Sequence, residues 1–354
     1  MLKMNNIVKY QSIEQAALTA LKECLERVPF LQIDRIELSE LDNQADFLVQ
    51  LRIQDRPHLL MAEVKNNGQP RMARLAVYQL KEYLSNETDA YGIFIAPYIS
   101  SGAGKICEEA GIGYLDIAGD CLISFETVYI RQTGAPNPNI QKRDLRSLYS
   151  PKAERILRVL LNDPRNSWKM IDLAQSAKVS LGQVANVKKL LLDREWLSKS
   201  VDGMSLTNPT ALLDEWGQSY NFRRNEVREC YALAELPEIE AQLAETCRRL
   251  GLQYALTGFS SAARIAPMVR YQKASVYVKR DVSTLIETLG WKAVTTGSNV
   301  SLLIPYDDGV FYGAKDIDEI AITSPVQTYL DLQSVRGRGH EAAQAVLKEI
   351  EKTW

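Results

Sequence analysis

The sequence predicts a multidomain protein of the mixed α/β class. At roughly 100–200 residues per domain, a chain of 354 residues is expected to hold two or three domains. Helical and strand patterns alternate as far as residue 132, and a breaker, Gly134-Ala135-Pro136-Asn137-Pro138-Asn139, follows them. Charge divides the chain as well, because residues 1–134 carry a net −5, residues 135–207 carry +6 and residues 208–354 carry −3. The basic block predicts contact with a polyanion, with compositional scatter as the alternative.

The composition narrows the possible functions. No apolar run approaches the ~20 residues that span a bilayer, and the first residues lead into no signal-peptide core, so a cytoplasmic protein without a membrane segment is expected. The five cysteines form no Cys-x-x-Cys pair, which indicates neither a zinc knuckle nor a redox pair. Histidine occurs only as His58 and His340, which argues against multi-histidine metal sites and a Ser-His-Asp arrangement. Catalysis, if present, is expected to use carboxylates, lysine and a hard metal.

The elements of the first domain follow from periodicity. Apolar residues at helical spacing predict helices, and short apolar or alternating runs predict strands. In chain order we predict a helix over 13–28, strands over 31–37, 46–54 and 58–65, a helix over 71–84, a strand over 90–97, a helix over 102–110, and strands over 114–125 and 127–132. A tight turn, Asp55-Arg56-Pro57, joins the second and third strands. This order predicts a mixed sheet flanked by helices.

Two carboxylates and a lysine are expected to converge at the open end of that hairpin. With its centre near residue 55 or 56, Asp46 falls opposite about residue 65. Glu63 and Lys65 are two residues apart and therefore share a face of their strand, so Asp46 lies within one cross-strand neighbour of both. Such an oxygen pair suits Mg²⁺, and a lysine beside the metal can stabilise a hydroxide that attacks a phosphodiester.

This spacing resembles a known nuclease superfamily. The pattern is similar to the Asp…Glu-x-Lys core of PD-(D/E)XK nucleases, because Asp46 is followed after sixteen residues by Glu63-Val64-Lys65. The next predicted helix resembles the Gln-x-x-x-Tyr motif of RecB-like members in the segment Gln79-Leu80-Lys81-Glu82-Tyr83. The resemblance covers roughly residues 10–132. It implies a restriction-endonuclease-like α/β domain in which Asp46 and Glu63 bind Mg²⁺ or Mn²⁺, Lys65 assists the attacking water, and Gln79 and Tyr83 support the site. An acidic residue from the first helix often joins the set, and Glu14 is the candidate.

Other interpretations of the same residues remain. The hairpin could present an ordinary solvated face, or the domain could bind nucleic acid without cutting it. Asp116 is interpreted as a residue that caps or satisfies backbone groups at a turn between a helix and a strand, and is not counted among the metal ligands.

The basic middle predicts a winged helix-turn-helix. Three helices are expected, over about 151–161, 168–177 and 183–193, and residues 196–207 then form a small hairpin that turns at Asp202-Gly203. The third helix would lie in a major groove, where Asn and Gln can read adenine and lysines hold phosphates. Six residues are predicted to face double-stranded DNA: Ser180, Gln183, Asn186, Lys188, Lys189 and Lys199. A winged helix used only for protein contacts is the alternative.

The last third of the chain is predicted to be an α+β domain. Thr257-Gly258-Phe259-Ser260-Ser261 invites comparison with nucleotidyltransferases, but only the unpaired Asp281 follows where those enzymes need Asp-x-Asp. Three segments are instead similar to the C-terminal domain of AbiEi-type antitoxins: the segment that begins at Thr257, Asn299 to Tyr312, and Ser324 to Leu332. The resemblance covers about residues 150–354. It implies operator binding and a nucleotidyltransferase-type toxin as partner.

Two functions therefore stand side by side. The first is a metal-dependent deoxyribonuclease, suited to phage defence, with a domain at 1–134, a linker at 135–150, a winged helix at 151–207 that targets DNA, and an AbiEi-like domain at 208–354. The second is an AbiEi-type transcriptional repressor and antitoxin in which the nuclease-like domain does not cut. The residues of the Asp46 set favour the first, and the C-terminal resemblance favours the second. A palindromic site would further imply a homodimer.

Overall fold

The structure is a computed structural model that describes residues 2–39, 44–85, 87, 89–132, 148–266, 269–335 and 337–354, with the side chains of the first helix described from residue 13. The chain divides into two compact units: residues 1–144 with Leu192–Glu195, and residues 145–191 with 196–354. Most of the linker that the sequence predicts at 135–150 lies outside the described residues. Within the described ranges, no helix combines the length and the apolarity needed to cross a bilayer.

The described part of the first unit contains one mixed sheet of seven strands in sequential order. The strands are β1 Leu31–Leu38, β2 Phe47–Ile53, β3 Arg56–Val64, β4 Ala90–Ala96, β5 Gly113–Asp116, β6 Cys121–Phe125 and β7 Val128–Gln132. The three central strands β3, β4 and β5 run parallel, because a helix crosses back between each pair, and the other neighbours are antiparallel.

Helices cover both faces of this sheet. The first, α1, spans Leu2–Leu25 and buries Ala17 and Leu21 against one face. The other two, α2 at Pro70–Leu84 and α3 at Ser101–Glu109, pack against the opposite face around Phe94. The expectation of a mixed α/β architecture with several sheets is confirmed.

The hairpin between β2 and β3 differs from the prediction by one residue. The turn residues are Gln54 and Asp55, whose φ angles of 48° and 66° match the two left-handed positions of a type I′ turn. Arg56 pairs with Ile53, so Pro57 belongs to β3 and not to the turn. A proline is tolerated there because the residue next to the closing pair faces its partner at a position without ladder hydrogen bonds.

A second difference concerns residues 114–125, which form two strands and not one. β5 ends at Asp116 and β6 begins at Cys121, and Gly119, at φ 103°, completes the reversal between them. The sequence prediction missed this turn because Ile117 and Ala118 continue the apolar run through it.

The second unit begins with three helices and a hairpin. The helices are α4 Pro151–Asn162, α5 Met170–Ala177 and α6 Leu181–Asp193, and the hairpin joins β8 Leu197–Lys199 to β9 Met204–Leu206. Trp168 exchanges two backbone hydrogen bonds with Met204, of 2.8 and 3.0 Å, and so adds a third short strand to the hairpin.

A seven-stranded mixed sheet follows in the described part of this unit, in the order β13-β10-β14-β12-β11-β16-β15. Its strands are β10 Glu226–Tyr231, β11 Tyr254–Leu256, β12 Ala274–Val278, β13 Lys292–Ala293, β14 Val300–Ile304, β15 Lys315–Ile317 and β16 Ile320–Ile322. The accompanying helices are α7 Pro209–Ser219, α8 Leu236–Leu250, α9 Gly258–Ile265, α10 Val282–Leu289, α11 Pro325–Gln333 and α12 Arg338–Glu351. Two 3₁₀ turns lie at Phe222–Arg224 and Asp308–Phe311.

Buried polar contacts join the three helices to this sheet. Arg158 of α4 is fully buried and donates from Nε to the Gln327 side chain of α11 at 2.9 Å. Gln327 donates in turn to the buried carboxylate of Asp331 at 2.9 Å. At the chain end, Trp354 donates from Nε1 to the carbonyl of Leu161 at 2.9 Å. Because buried polar groups are costly unless partnered, these contacts favour one arrangement of the helices on the sheet.

Candidate functional site

The predicted carboxylates meet where β2 begins and β3 ends. Phe47 pairs with Ala62, so the register places Asp46 beside Glu63. The predicted position of Asp46, opposite about residue 65, is wrong by two positions because the turn centre lies one residue earlier. Directly opposed residues of antiparallel strands share a face, so the two carboxylates still point to the same side of the sheet.

Each of these side chains has a defined partner. Asp46 accepts a hydrogen bond from the backbone N–H of Val64 at 2.6 Å. The Lys65 ammonium forms an ion pair with Oε1 of Glu63, and the backbone N–H of Lys65 donates to Ile95 of the neighbouring strand at 2.9 Å. The side chains of Lys65 and Glu63 are only 14% and 4% exposed. The pair is therefore held in a poorly solvated position.

One oxygen of this cluster lacks a partner. Oε2 of Glu63 is buried and accepts no hydrogen bond from the described residues. Burial raises the pKa of Glu63, and the Asp46 carboxylate raises it further, whereas Lys65 lowers it. Burial also raises the pKa of Asp46, whereas the N–H of Val64 and the charge of Lys65 lower it. A cation at this point would satisfy the free oxygen and offset the repulsion between the carboxylates.

The donor set suits a hard divalent cation. Both candidate ligands are carboxylates, and Mg²⁺ is commonly bound by one or two carboxylates with waters in the remaining positions. In the described ranges no group of three or more His, Cys, Asp or Glu side chains forms a complete protein cage. The residues present therefore fit Mg²⁺ or Mn²⁺ with an open coordination sphere, and do not fit a closed structural metal site.

Helix α2 carries Gln79 and Tyr83, the other two residues of the predicted site. The two residues are one helical turn apart, and the Gln79 side chain hydrogen-bonds the Tyr83 hydroxyl. Burial raises the pKa of Tyr83, and the Glu63 and Asp46 carboxylates add to this, which places the phenol within their electrostatic reach. The side-chain oxygen of Gln79 is buried without a partner.

Glu14 of the first helix lies outside this pair of carboxylates but within electrostatic reach of Asp46. Burial raises the pKa of Glu14, and the Asp46 carboxylate adds to the effect. Glu14 therefore lies in the electrostatic surroundings of Asp46, at the position that the sequence suggested for an acidic residue of the first helix.

Asp116 has a different role. It is fully buried at the end of β5, and its Oδ1 accepts from the backbone N–H of Asp120 at 3.0 Å. Burial raises the pKa of this carboxyl, backbone N–H groups of Asp120, Ile99 and Gly119 oppose that rise, and Oδ2 has no hydrogen-bond partner among the described residues. It thus closes the turn between β5 and β6, as a turn residue would.

The residues predicted to face DNA differ in their exposure to solvent. Asn186 and Lys189 are exposed, opposite the buried Val184 and Val187. Gln183 is half-buried, and its N–H donates to Oγ of Ser180 at 3.3 Å, which makes Ser180 an N-cap.

Lys188 and Lys199 differ in the same way. Lys188 is half-buried, and its ammonium lies 3.6 Å from Sδ of Met170 on α5. Lys199 is exposed on β8. The outward face of α6 instead includes Gly182 and Ala185, which the sequence analysis did not name. Their helical spacing with Asn186 and Lys189 was the signal that could have found them.

Comparison with known proteins gives one family match. Residues 205–351 match the model of a family described as "Transcriptional regulator, AbiEi antitoxin, Type IV TA system". The match lies within the second unit and agrees with the family that the C-terminal motifs resemble. No curated protein matches the chain.

A solved structure titled "Structure of EndoMS in apo form" shares 18% sequence identity with the chain, at a TM-score of 0.22. The alignment covers 28% of this chain and 45% of that one, so the chain spans less than half of the matched structure. A likeness at this level establishes neither a fold nor a function.

Proposed function

We propose that the chain is a DNA-binding transcriptional regulator of the AbiEi antitoxin type. The observation that carries the proposal is the family match over residues 205–351, which begins within the hairpin that follows the three helices. Regulators of this kind, as the family description has it, belong to type IV toxin–antitoxin systems. Double-stranded DNA and a nucleotidyltransferase-type toxin would accordingly be the partners, and the protein would act as a homodimer on a palindromic operator.

The three helices and the hairpin support the proposal because they have the element order of a winged helix. Helix α5 ends at Ala177, its C-cap residue Lys178 has a φ of 53°, and α6 starts at Leu181, which is the short turn of a helix-turn-helix. The Trp168–Met204 bridge gives the hairpin the third strand expected of a wing. Helix α6 would then be the recognition helix in the major groove.

The exposed face of α6 has suitable chemistry for DNA. An Asn side chain can hydrogen-bond adenine through both its donor and its acceptor, which Asn186 would do, and Lys189 would hold a phosphate. Gly182 and Ala185 have little or no side chain, so the helix backbone could approach the groove closely. The net charge of +6 over residues 135–207 favours a polyanionic partner.

Footprinting tests this proposal on a DNA fragment from directly upstream of the protein's own coding sequence. The wild-type chain is expected to protect a discrete site, and Asn186→Ala to abolish that protection while the variant stays folded. Lys292→Ala, which removes an exposed lysine on β13, is the matched control and should protect normally. Equal footprints from all three proteins would contradict recognition through α6.

The toxin partner is tested by gene context and co-expression. A nucleotidyltransferase gene beside this one, whose toxicity is relieved by this chain, is the expected finding. If no such gene is present, or if its toxicity is unchanged, the antitoxin part of the proposal fails while DNA binding can still stand.

A second function is favoured by the first unit, and we propose it separately. The convergence of Asp46, Glu63 and Lys65, with the unpartnered Oε2 of Glu63, supports a metal-dependent deoxyribonuclease of the PD-(D/E)XK type. A restriction-endonuclease-like fold is in keeping with the mixed sheet and with the parallel strands β3 and β4, each of which leads into a helix.

The roles follow from the positions of the side chains. Asp46 and Glu63 would hold Mg²⁺ or Mn²⁺, which, when bound, would lower the pKa of water and offset phosphate charge. Lys65 would place its ammonium beside the attacking water and the charge that develops on the phosphate. Tyr83 and Gln79 would hold the scissile strand and the carboxylates in place.

Cleavage of plasmid and linear DNA in Mg²⁺ or Mn²⁺ tests this second proposal. Wild type should cut, whereas Glu63→Gln and Lys65→Ala should not. Lys105→Ala, an exposed lysine of α3, is the matched control. Undetectable cutting by wild type and variants alike would leave the domain as a nucleic-acid clamp, and residual cutting in Glu63→Gln would assign the activity to another site.

A further inference from the structure

Two buried cysteines face each other across one side of the first sheet. Cys24 lies in the last turn of α1, and Cys121 is the first residue of β6. Their Sγ atoms are 3.7 Å apart, although 96 residues separate them in the chain. The residues are 5% and 1% exposed and belong to the same core cluster as Leu21.

A fixed cation lies beside this pair. Nη1 of Arg27 donates to the side-chain oxygen of Gln132, and Gln132 pairs with Cys121 in the β6–β7 ladder. The guanidinium lies within electrostatic reach of both sulfur atoms. The hydrogen bond with Cys24 lowers the pKa of the Cys121 thiol against the effect of burial, and a backbone hydrogen bond with Gln132 and the charge of Arg27 lower it further. Cys121 is consequently the more nucleophilic sulfur.

The other cysteines differ from this pair. Cys107, Cys230 and Cys247 are buried and free, and their sulfur atoms contact no second thiol in the described residues. Burial raises the pKa of Cys107 and of Cys247 to about 12, so neither is a ready thiolate. The chain thus contains internal controls for thiol chemistry.

We propose that Cys24 and Cys121 form an oxidation site at which hydrogen peroxide produces a reversible disulfide. The Cys121 thiolate attacks one peroxide oxygen, an S–O bond forms, the O–O bond breaks, and the departing hydroxide takes a proton to become water. The Cys24 sulfur then attacks the sulfenic sulfur, an S–S bond forms, the S–O bond breaks, and a second water leaves with the Cys24 proton. Two thiols are oxidised, and one peroxide is reduced to two waters.

The two sulfur atoms need to move only a short distance to form a disulfide. A disulfide has an S–S distance of about 2.05 Å, so the sulfur atoms need to approach by about 1.7 Å. The bond would fasten the C-terminal turn of α1 to β6. Because α1 also carries Glu14, which lies within electrostatic reach of Asp46, the disulfide would restrain the helix that carries this acid.

Mass spectrometry of the full-length chain tests the proposal. After treatment with hydrogen peroxide and blocking of remaining thiols, wild type should lose two hydrogen atoms in mass and keep three blockable thiols, and dithiothreitol should restore all five. Trypsin releases Cys24 in the peptide Glu23–Arg27, but it releases Cys121 and Cys107 together in the peptide 106–131. The Cys107→Ala variant therefore identifies the partner, and its cross-linked peptide pair should persist.

Single-thiol variants complete the test. Both Cys24→Ala and Cys121→Ala should lose the cross-link, and Cys24→Ala should gain oxygen atoms at Cys121. The proposal is overturned if oxidised wild type gains oxygen without losing two hydrogens, if its cross-link joins other cysteines, or if all five thiols survive peroxide that oxidises the unfolded chain.

Thermal unfolding gives an independent readout. All five tryptophans lie in residues 168–354, so tryptophan fluorescence follows the second unit and far-UV circular dichroism follows both. Oxidation should raise the melting temperature of the first unit and leave the tryptophan transition unchanged. An equal shift in Cys24→Ala would contradict the assignment.

Discussion

Replacement of Lys65 by alanine should destabilise the first unit and make its stability depend on a divalent cation. Lys65 is the ion-pair partner of Glu63 and also lowers the pKa of Asp46. Without its ammonium, two nearby carboxylates face each other with no counter-charge from Lys65. Glu63 is the more sensitive of the two because its side chain is only 4% exposed.

The size of the effect follows from this burial. Removal of one partner of a buried ion pair costs about 3–5 kcal/mol, because the remaining charge stays desolvated. Glu63 can relieve part of this by binding a proton, since burial already raises its pKa. A carboxylate with a raised folded-state pKa supplies stability that is complete below the unfolded-state pKa and disappears as pH rises through the folded-state value. The deficit of Lys65→Ala should therefore be larger at pH 8 than at pH 5.

Urea denaturation followed by far-UV circular dichroism measures the effect. At pH 8 without divalent cations, the variant should be about 3 kcal/mol less stable than wild type. Mg²⁺ at one hundred times its dissociation constant should restore about 2.7 kcal/mol. The tryptophan transition, which reports the second unit, and the Lys105→Ala control should not change. A variant as stable as wild type, or one whose deficit ignores both pH and Mg²⁺, would refute the reasoning.

Three further predictions concern the second unit. Glu154→Ala should lower the stability of the second unit by about 3–5 kcal/mol in tryptophan-monitored urea denaturation, since the buried Arg158 loses its ion-pair partner. Glu154→Gln should lower that stability by less. Burial raises the pKa of Asp331 from 3.8 to about 6, so the stability that its proton supplies should be complete below pH 3.8 and fall by about 3 kcal/mol as pH rises through 6. Asp331→Asn should lose that pH dependence, and an unchanged slope would contradict it. Ala185→Glu should weaken DNA binding at least tenfold in a mobility shift without altering stability, because the residue is exposed; undiminished binding would place the DNA elsewhere.

Periodicity predicted the helices and most strands because these elements bury one face. Ala73, Ala76 and Leu80 of α2, for instance, are buried at helical spacing, and the helix begins and ends within one residue of the prediction. The prediction was less accurate at turns, where backbone conformation and not burial decides. Gln54 and Asp55 adopt left-handed conformations although neither is a glycine, so the sequence has no local signal for them. The predicted centre of the hairpin is therefore one residue too late.

The carboxylate–lysine cluster could be predicted in part. Asp46, Glu63 and Lys65 lie on adjacent strands, and strand alternation is robust to a register error of two residues because both positions face the same way. Other features depend on contacts between distant segments. Cys24 and Cys121 form no sequence motif, and the unpartnered oxygen of Glu63 follows from packing; neither has a local signal in the sequence.

The most direct test of the central proposal is the affinity of the full-length chain for its own upstream DNA at several salt concentrations. Binding through α6 predicts a dissociation constant that rises steeply with salt, and a slope that decreases by about one in Lys189→Ala. Asn186→Ala should lose the preference for the upstream fragment over unrelated DNA and keep its non-specific binding. A salt-independent affinity, or an unchanged preference in Asn186→Ala, would contradict the account.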